Sequence, residues 1–181
     1  CDMPWSDNRE RIETARDFPL PDRPVAAAES TNWTSEDARD RVKEAELVMD
    51  AADVRAGMTV ADIGAGDGYY TVRLAMRVGD TGRVLAQDIM PEAIERLADR
   101  VARERLDNVS LKLGAEDDPR LPEDSFDRVF MVHMYHEIAE PYAFLWRLRE
   151  SLREGGEVIV VDANRPVSQH GMPVRQLLCE F

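Results

Sequence analysis

The stretch Val60-Ala-Asp-Ile-Gly-Ala-Gly-Asp-Gly68 runs from an apolar strand pattern into three glycines at alternate positions, with a helical pattern directly after them. Glycine lets the backbone turn sharply and approach a ligand without a Cβ in the way. The helix that follows offers unsatisfied N–H groups to that ligand. In open α/β sheets this is the crevice where nucleotides bind. Dinucleotide binders carry GxGxxG, but here Tyr69 stands where the third glycine of that fingerprint belongs. Asp62, two positions before the loop, places a carboxylate where a cationic amino-acid end fits better than a pyrophosphate.

Working outward, strands and helices alternate. Thr59–Ile63, Arg83–Asp88, Val109–Leu113, Phe126–Val132 and Glu157–Asp162 read as strands. Tyr69–Val78, Pro91–Leu106 and Pro141–Arg153 read as helices, Pro91 taking a first helical position. Alternation of this kind implies crossover units and a parallel sheet, an α/β fold. Val129–Val132 and Val158–Val161 are continuous apolar runs, as strands covered on both faces require. Val109, Leu111 and Leu113 alternate with Ser110 and Lys112, which suits an edge strand and hence a sheet order 3-2-1-4-5. Upstream, a helix is expected to begin at Thr34, with Ala38, Val42, Ala45, Met49 and Ala52 on its buried face. Residues 1–33 read as an extended arm interrupted by Pro4, Pro19, Pro21 and Pro24, with room for a short helix between Ser6 and Asp17. The chain thus divides into an arm, 1–33, and a Rossmann-like domain, 34–181.

Composition narrows the partners. Lys and Arg number 23 against 36 Asp and Glu, a net charge of -13, and such a surface repels phosphate backbones. Nucleic acid is therefore disfavoured as a partner. No apolar run reaches the ~20 residues that span a bilayer. The two cysteines, Cys1 and Cys179, form no CxxC pair, and their positions at the chain ends argue against a disulfide.

A second acidic residue, Asp88, ends the second strand 22 residues beyond Gly66, where a carboxylate can accept hydrogen bonds from both ribose hydroxyls. Together with Leu121-Pro-Glu-Asp-Ser-Phe-Asp127 and Leu152-Arg-Glu-Gly-Gly156, these motifs resemble those of the class I S-adenosylmethionine-dependent methyltransferases, in the small-molecule branch that includes the quinone-biosynthesis enzymes. The resemblance covers roughly residues 35–165. It implies a Rossmann-like, doubly wound sheet that binds S-adenosylmethionine and transfers its methyl group to a small-molecule acceptor. By position it assigns Asp62, Gly64, Ala65, Gly66 and Gly68 to the methionine end and Asp88 and Ile89 to the ribose; of Tyr69 and Tyr70 after the glycine loop, one is expected to close over the cofactor, with Tyr70 the candidate, and the other to pack in the core. The acidic residue that members of this family place directly after a glycine to meet the adenine is displaced here in Gly114-Ala115-Glu116-Asp117, which makes Glu116 the first candidate and Asp117 the second.

His133-Met134-Tyr135-His136-Glu137 follows the fourth strand, whose end lies beside the first. Methyl transfer needs a positioned nucleophile and, where that nucleophile carries a proton, a base. His133 or His136 supplies one, because imidazole titrates near neutrality. Tyr135 and Glu137 are candidates for orienting the acceptor, and His133 also reaches the cofactor. A metal on the His–Glu pair lacks a visible third ligand, so none is expected. Two other readings remain: a module that binds the cofactor without turnover, and a nicotinamide-dependent oxidoreductase.

The class I fold normally ends in a two-strand hairpin that this chain does not show, so the sequence reads as truncated at its C-terminus. The exposed fifth strand then becomes a possible dimer edge. Cytoplasmic residence follows from the cofactor's location, whereas Cys1 as an acylated first residue would make the chain a bacterial lipoprotein.

Overall fold

The computed structural model describes residues 11–27 and 35–181. In chain order these form α1 (Glu36–Arg41), α2 (Glu44–Ala51), β1 (Thr59–Ile63), α3 (Tyr69–Val78), β2 (Arg83–Asp88), α4 (Pro91–Glu104), β3 (Val109–Leu113), β4 (Phe126–Val132), α5 (Pro141–Glu150), β5 (Leu152–Val161) and α6 (Val174–Glu180). The strands make one sheet in the order β3-β2-β1-β4-β5, with every pairing parallel. This is the architecture that the alternating pattern implies, with β3 at one edge and β5 at the other.

Side chains alternate across the strands, so β1 feeds both faces of the sheet. Val60 packs with Leu74, Val78 and Met49 beneath α2 and α3. Ala61 and Ile63 pack on the opposite face with Met131, Phe144 and Leu148 beneath α5. Burial on both sides explains the apolar runs of β1 and β4. β5 starts at Leu152 rather than at Glu157, because Leu152 already pairs with Phe126 before a register shift takes up Arg153–Gly156. The preceding helix accordingly stops at Glu150 instead of Arg153.

Two departures from the sequence reading lie upstream. The single helix expected from Thr34 to Ala52 is two helices. Lys43 turns left-handed between them, with φ 55°. Thr34 lies outside the described residues, and Ser35 caps α1, its Oγ accepting from Ala38 N at 3.3 Å. Ala45, Met49 and Ala52 are buried as expected, whereas Val42 is 65% exposed. The break turns α1 toward α3 and α4, where Glu36 meets Arg100 at 2.5 Å and Asp40 meets Arg73 at 2.5 Å. Charge pairing across the fold thus overrides local helix periodicity.

The other departure is the upstream segment. A short 3-10 turn at Glu13–Ala15 replaces the described part of the expected short helix, and Ser6 lies outside the described residues. Residues 11–27 lie against the domain. Arg11 pairs with Glu140, Thr14 donates to Asp117, and the fully buried Arg23 side chain meets Glu180 at 2.7 Å. Glu180 also accepts from the Tyr135 hydroxyl at 2.8 Å. Cys179 is disulfide-bonded, contrary to the expectation from its position; Cys1 lies outside the described residues. Among the described residues no helix is long and apolar enough to cross a membrane.

Removing one partner of a buried ion pair strands the other charge in low dielectric. Arg23→Met is therefore expected to lower unfolding stability by about 3–5 kcal/mol, measured by urea denaturation. A loss within ~0.5 kcal/mol, as for an exposed site, would mean that residues 11–27 do not contribute to the folded unit.

Candidate active site

A cavity of about 660 Å3 opens at the C-terminal ends of β1, β2 and β4. Its size falls within the range of small-molecule sites. The strand order reverses about β1, so the crossovers leave on opposite faces and the ends of β1 and β4 part there.

The glycine loop forms one wall. Gly64 has φ 67°, and a Cβ there would meet Met134 Cγ at 2.9 Å, so only glycine lets the loop and the turn after β4 close on each other. Gly66 N donates to Asp88 Oδ2 at 2.9 Å, and Met90 N donates to Oδ1 at 2.9 Å. The carboxylate is thereby fixed at the cavity wall. Each of its oxygens keeps acceptor capacity for a ligand hydroxyl. Ala65, Ile89 and Glu116 line the same cavity.

Other assigned residues lie elsewhere. Gly68 caps α3 against α4, and a Cβ there would stand 2.4 Å from Leu97 Cδ1. Asp62 is buried behind the loop, accepting from Thr71 Oγ1 at 2.6 Å. Asp117 is tied to Thr14 and Arg147. Tyr70 packs on Phe130 and donates to Glu44 at 3.1 Å, and Tyr69 rather than Tyr70 reaches the cavity.

The far end of the cavity holds the turn after β4. Residues 135–137 form one 3-10 turn, which sends neighbouring side chains in different directions. Tyr135 points into the core toward Glu180, where burial and that carboxylate push its hydroxyl well above the usual tyrosine range. His136 and Glu137 point to the cavity. His136 is 1% exposed, and its Nδ1 lies 2.8 Å from Asp162 Oδ2 at the end of β5. Nδ1–H donating to that carboxylate leaves the lone pair on Nε2. Among the described residues no group hydrogen-bonds Nε2.

His133 has φ 56°, a strained conformation for a residue with a side chain. Its Nε2 lies 3.3 Å from Glu44 Oε1, and Glu44 also accepts from Arg39 at 2.7 Å. Burial would raise the Glu44 carboxyl, but the hydrogen bonds from His133 and Arg39 prevail and hold it at about 2. His133 is thus tied to Glu44 of α2, whereas His136 Nε2 has no hydrogen-bond partner among the described residues.

Sequence reasoning missed several lining residues. Arg39 stacks 3.7 Å from the Tyr69 ring centroid, and Glu44, Gln87, Arg165 and His170 complete the walls. Gln87 lies on a strand whose pattern shows only a polar residue before Asp88, and the others come from distant segments with no local signature.

Residues 60–156 match the family described as "Methyltransferase domain". The chain is 32% identical over 114 residues to a protein-L-isoaspartate O-methyltransferase of Methanothrix thermoacetophila, covering 63% of this chain and 51% of that protein. It is 28% identical over 128 residues to the ubiquinone/menaquinone biosynthesis C-methyltransferase UbiE of an Enterobacter species, covering 67% and 49%. The chain therefore spans about half the length of these relatives. Among solved structures, a SAM-dependent methyltransferase from Aquifex aeolicus superposes with a TM-score of 0.59 at 28% identity, covering 66% of this chain and 68% of that one.

Asp62 gives the site a pH signature. Burial, with Asp88 adding to it and Thr71 opposing, raises its carboxyl from 3.8 to about 6. The folded state then binds the proton more tightly than the unfolded chain, so this contribution to stability is full below pH 3.8 and is lost as pH rises through about 6. Asp62→Asn is expected to remove that loss, its stability falling less than that of the natural chain between these two values. Parallel urea titrations across the range check it, and identical slopes would contradict the assignment.

Proposed function

The chain belongs to the class I S-adenosylmethionine-dependent methyltransferases, and from that premise we propose that it methylates a small-molecule acceptor bound at the His136 end of the cavity. One observation carries the reading: a single cavity joins the Gly64–Gly66 loop and Asp88 at one end to the Asp162-backed His136 at the other.

The residues fit the cofactor. Asp88 would accept from the ribose hydroxyls, Gly64 and Gly66 would let the methionine end lie on bare backbone, and Glu116, on the same cavity wall, would accept from an adenine amino group. Asp88 keeps two backbone donors and a fixed orientation, so it needs little rearrangement to bind. When bound, S-adenosylmethionine supplies a methyl carbon already activated by a sulfonium. The chain's own task is then to align the acceptor and take its proton.

His136 is suited to that task. With Nδ1–H held on Asp162, the Nε2 lone pair draws the proton from an acceptor O–H, N–H or S–H as the acceptor atom bonds to the methyl carbon. Asp162 would balance the imidazolium formed as the acceptor takes the methyl group and the sulfonium leaves as a neutral thioether. The net charge of -13 disfavours a nucleic acid as acceptor.

Two substitutions separate binding from transfer. Asp88→Ala is expected to weaken S-adenosylmethionine binding by about 1–3 kcal/mol, as loss of hydrogen-bond partners to two hydroxyls implies, read by calorimetric titration. His136→Ala is expected to leave that affinity within about twofold and to lower turnover on phenol and quinol acceptors by ~10²-fold or more. Equal loss of affinity in both variants would contradict this division. Binding of NADH in place of S-adenosylmethionine would overturn the reading itself.

A further inference from the structure

We propose that His136, Glu137 and His170 form a binding site for a divalent cation of the zinc type at the acceptor end of the cavity. One ligand atom from each of the three lies within 4.8 Å of the others, and all three residues line the cavity. His136 Nε2 stands 3.9 Å from Glu137 Oε1, and the His136 and His170 rings meet edge to face at 5.7 Å. Tetrahedral zinc with bonds of ~2.1 Å holds its ligand atoms ~3.4 Å apart. The cluster must therefore close by about an ångström, within reach of the half-buried Glu137 and His170 side chains.

Three independent features make this more than proximity. The Nε2 lone pair of His136 is buried, faces the cluster and has no hydrogen-bond partner among the described residues. A buried polar atom left unsatisfied is costly, and a cation removes the cost. Asp162 on Nδ1 supplies the carboxylate–histidine arrangement that fixes the tautomer and raises ligand basicity at metal centres. The segment after β5 is also built to bring His170 back. Val167 and Met172 are buried in the core, and Met172 N donates to Ala163 O at 2.8 Å, which closes the loop and points His170 across the cavity.

The donor set selects the ion. Two imidazoles and one carboxylate suit zinc, cobalt or nickel and are poor for magnesium, which demands oxygen ligands. Arg165 lies nearby, donating to His170 O at 3.2 Å, but Glu137 and Asp162 bring two carboxylates against its one charge. Three protein ligands leave a position open toward the cavity, the arrangement of catalytic rather than structural zinc. The methyl-transfer reading gives that position its use: the metal-free chain offers a base there, and the loaded chain offers a Lewis acid suited to acceptors with an oxygen or sulfur donor.

The test is calorimetric titration of the metal-stripped full chain with zinc chloride, with magnesium chloride as control, alongside a titration with S-adenosylmethionine. About one zinc per chain is expected, with at least tenfold weaker binding in both His170→Ala and Glu137→Gln and little change in His133→Ala. Both weakened positions are partly exposed, so their variants should fold, and the S-adenosylmethionine titration verifies it. Cobalt(II) should show the absorption of a low-coordinate site that is lost in His170→Ala. Zinc binding that ignores His170→Ala and Glu137→Gln, or its absence in a chain that still binds S-adenosylmethionine, overturns the site while leaving the methyl-transfer reading intact. Loss of S-adenosylmethionine binding in the natural chain bears on that reading instead.

Discussion

The candidate site depends on placing β1 in the middle of a parallel sheet with its crossovers leaving on opposite faces. Strands that run the same way end on the same side, so the tips of β1, β2 and β4 share one rim. Because the chain turns to one face after β1 and arrives from the other at β4, a cavity opens above those two strands among the described residues. A glycine run at the tip of β1 and a polar turn at the tip of β4 then face each other. Gly64 and Met134 set how closely they do so, since a side chain on the glycine would occupy the same space as the methionine.

The parts of the fold that rest on local pattern were legible in the sequence. Apolar runs, glycines and Pro91 mark β1, β2, β4 and α4 because each element carries its own periodic apolar pattern and its own boundary residues. The break between α1 and α2 was not legible. Ala38 through Ala52 keep helical spacing across it, and the left-handed Lys43 is compensated by ion pairs to Arg73 and Arg100, more than 30 residues downstream. The early start of β5 was hidden for a similar reason, since Arg153–Gly156 lacks a strand pattern and joins the sheet only through the pairing of Leu152 with Phe126.

The site shows the same division. Asp88 and the glycine loop could be placed because their spacing from β1 is fixed by one crossover. The cluster after β4 could be found but not sorted: adjacent residues on a 3-10 turn diverge, and which one meets the core depends on what waits there. Tyr135 goes inward because Glu180 accepts from its hydroxyl and the Arg23 guanidinium lies over its ring. His136 goes toward the cavity because Asp162 holds its ring from β5. Glu44, Arg39, Asp162 and His170 belong to no local motif, and only the folded chain brings them to the site.

The upstream segment ties into this sorting. Arg23 donates to the carbonyl oxygens of both His136 and Ile138, at 3.3 and 3.1 Å, and Ala26 N donates to His136 O at 3.2 Å. The turn that carries His136 thus has its backbone held from one side by residues over 100 positions earlier and its ring held from the other by Asp162. A base or a metal ligand must sit within a fraction of an ångström of its working position, and a short 3-10 turn alone is too weakly stabilised to provide that. The same buried arginine pairs with Glu180 and supports the turn, so the segment read from sequence as an extended arm is part of the scaffold that holds His136 in place.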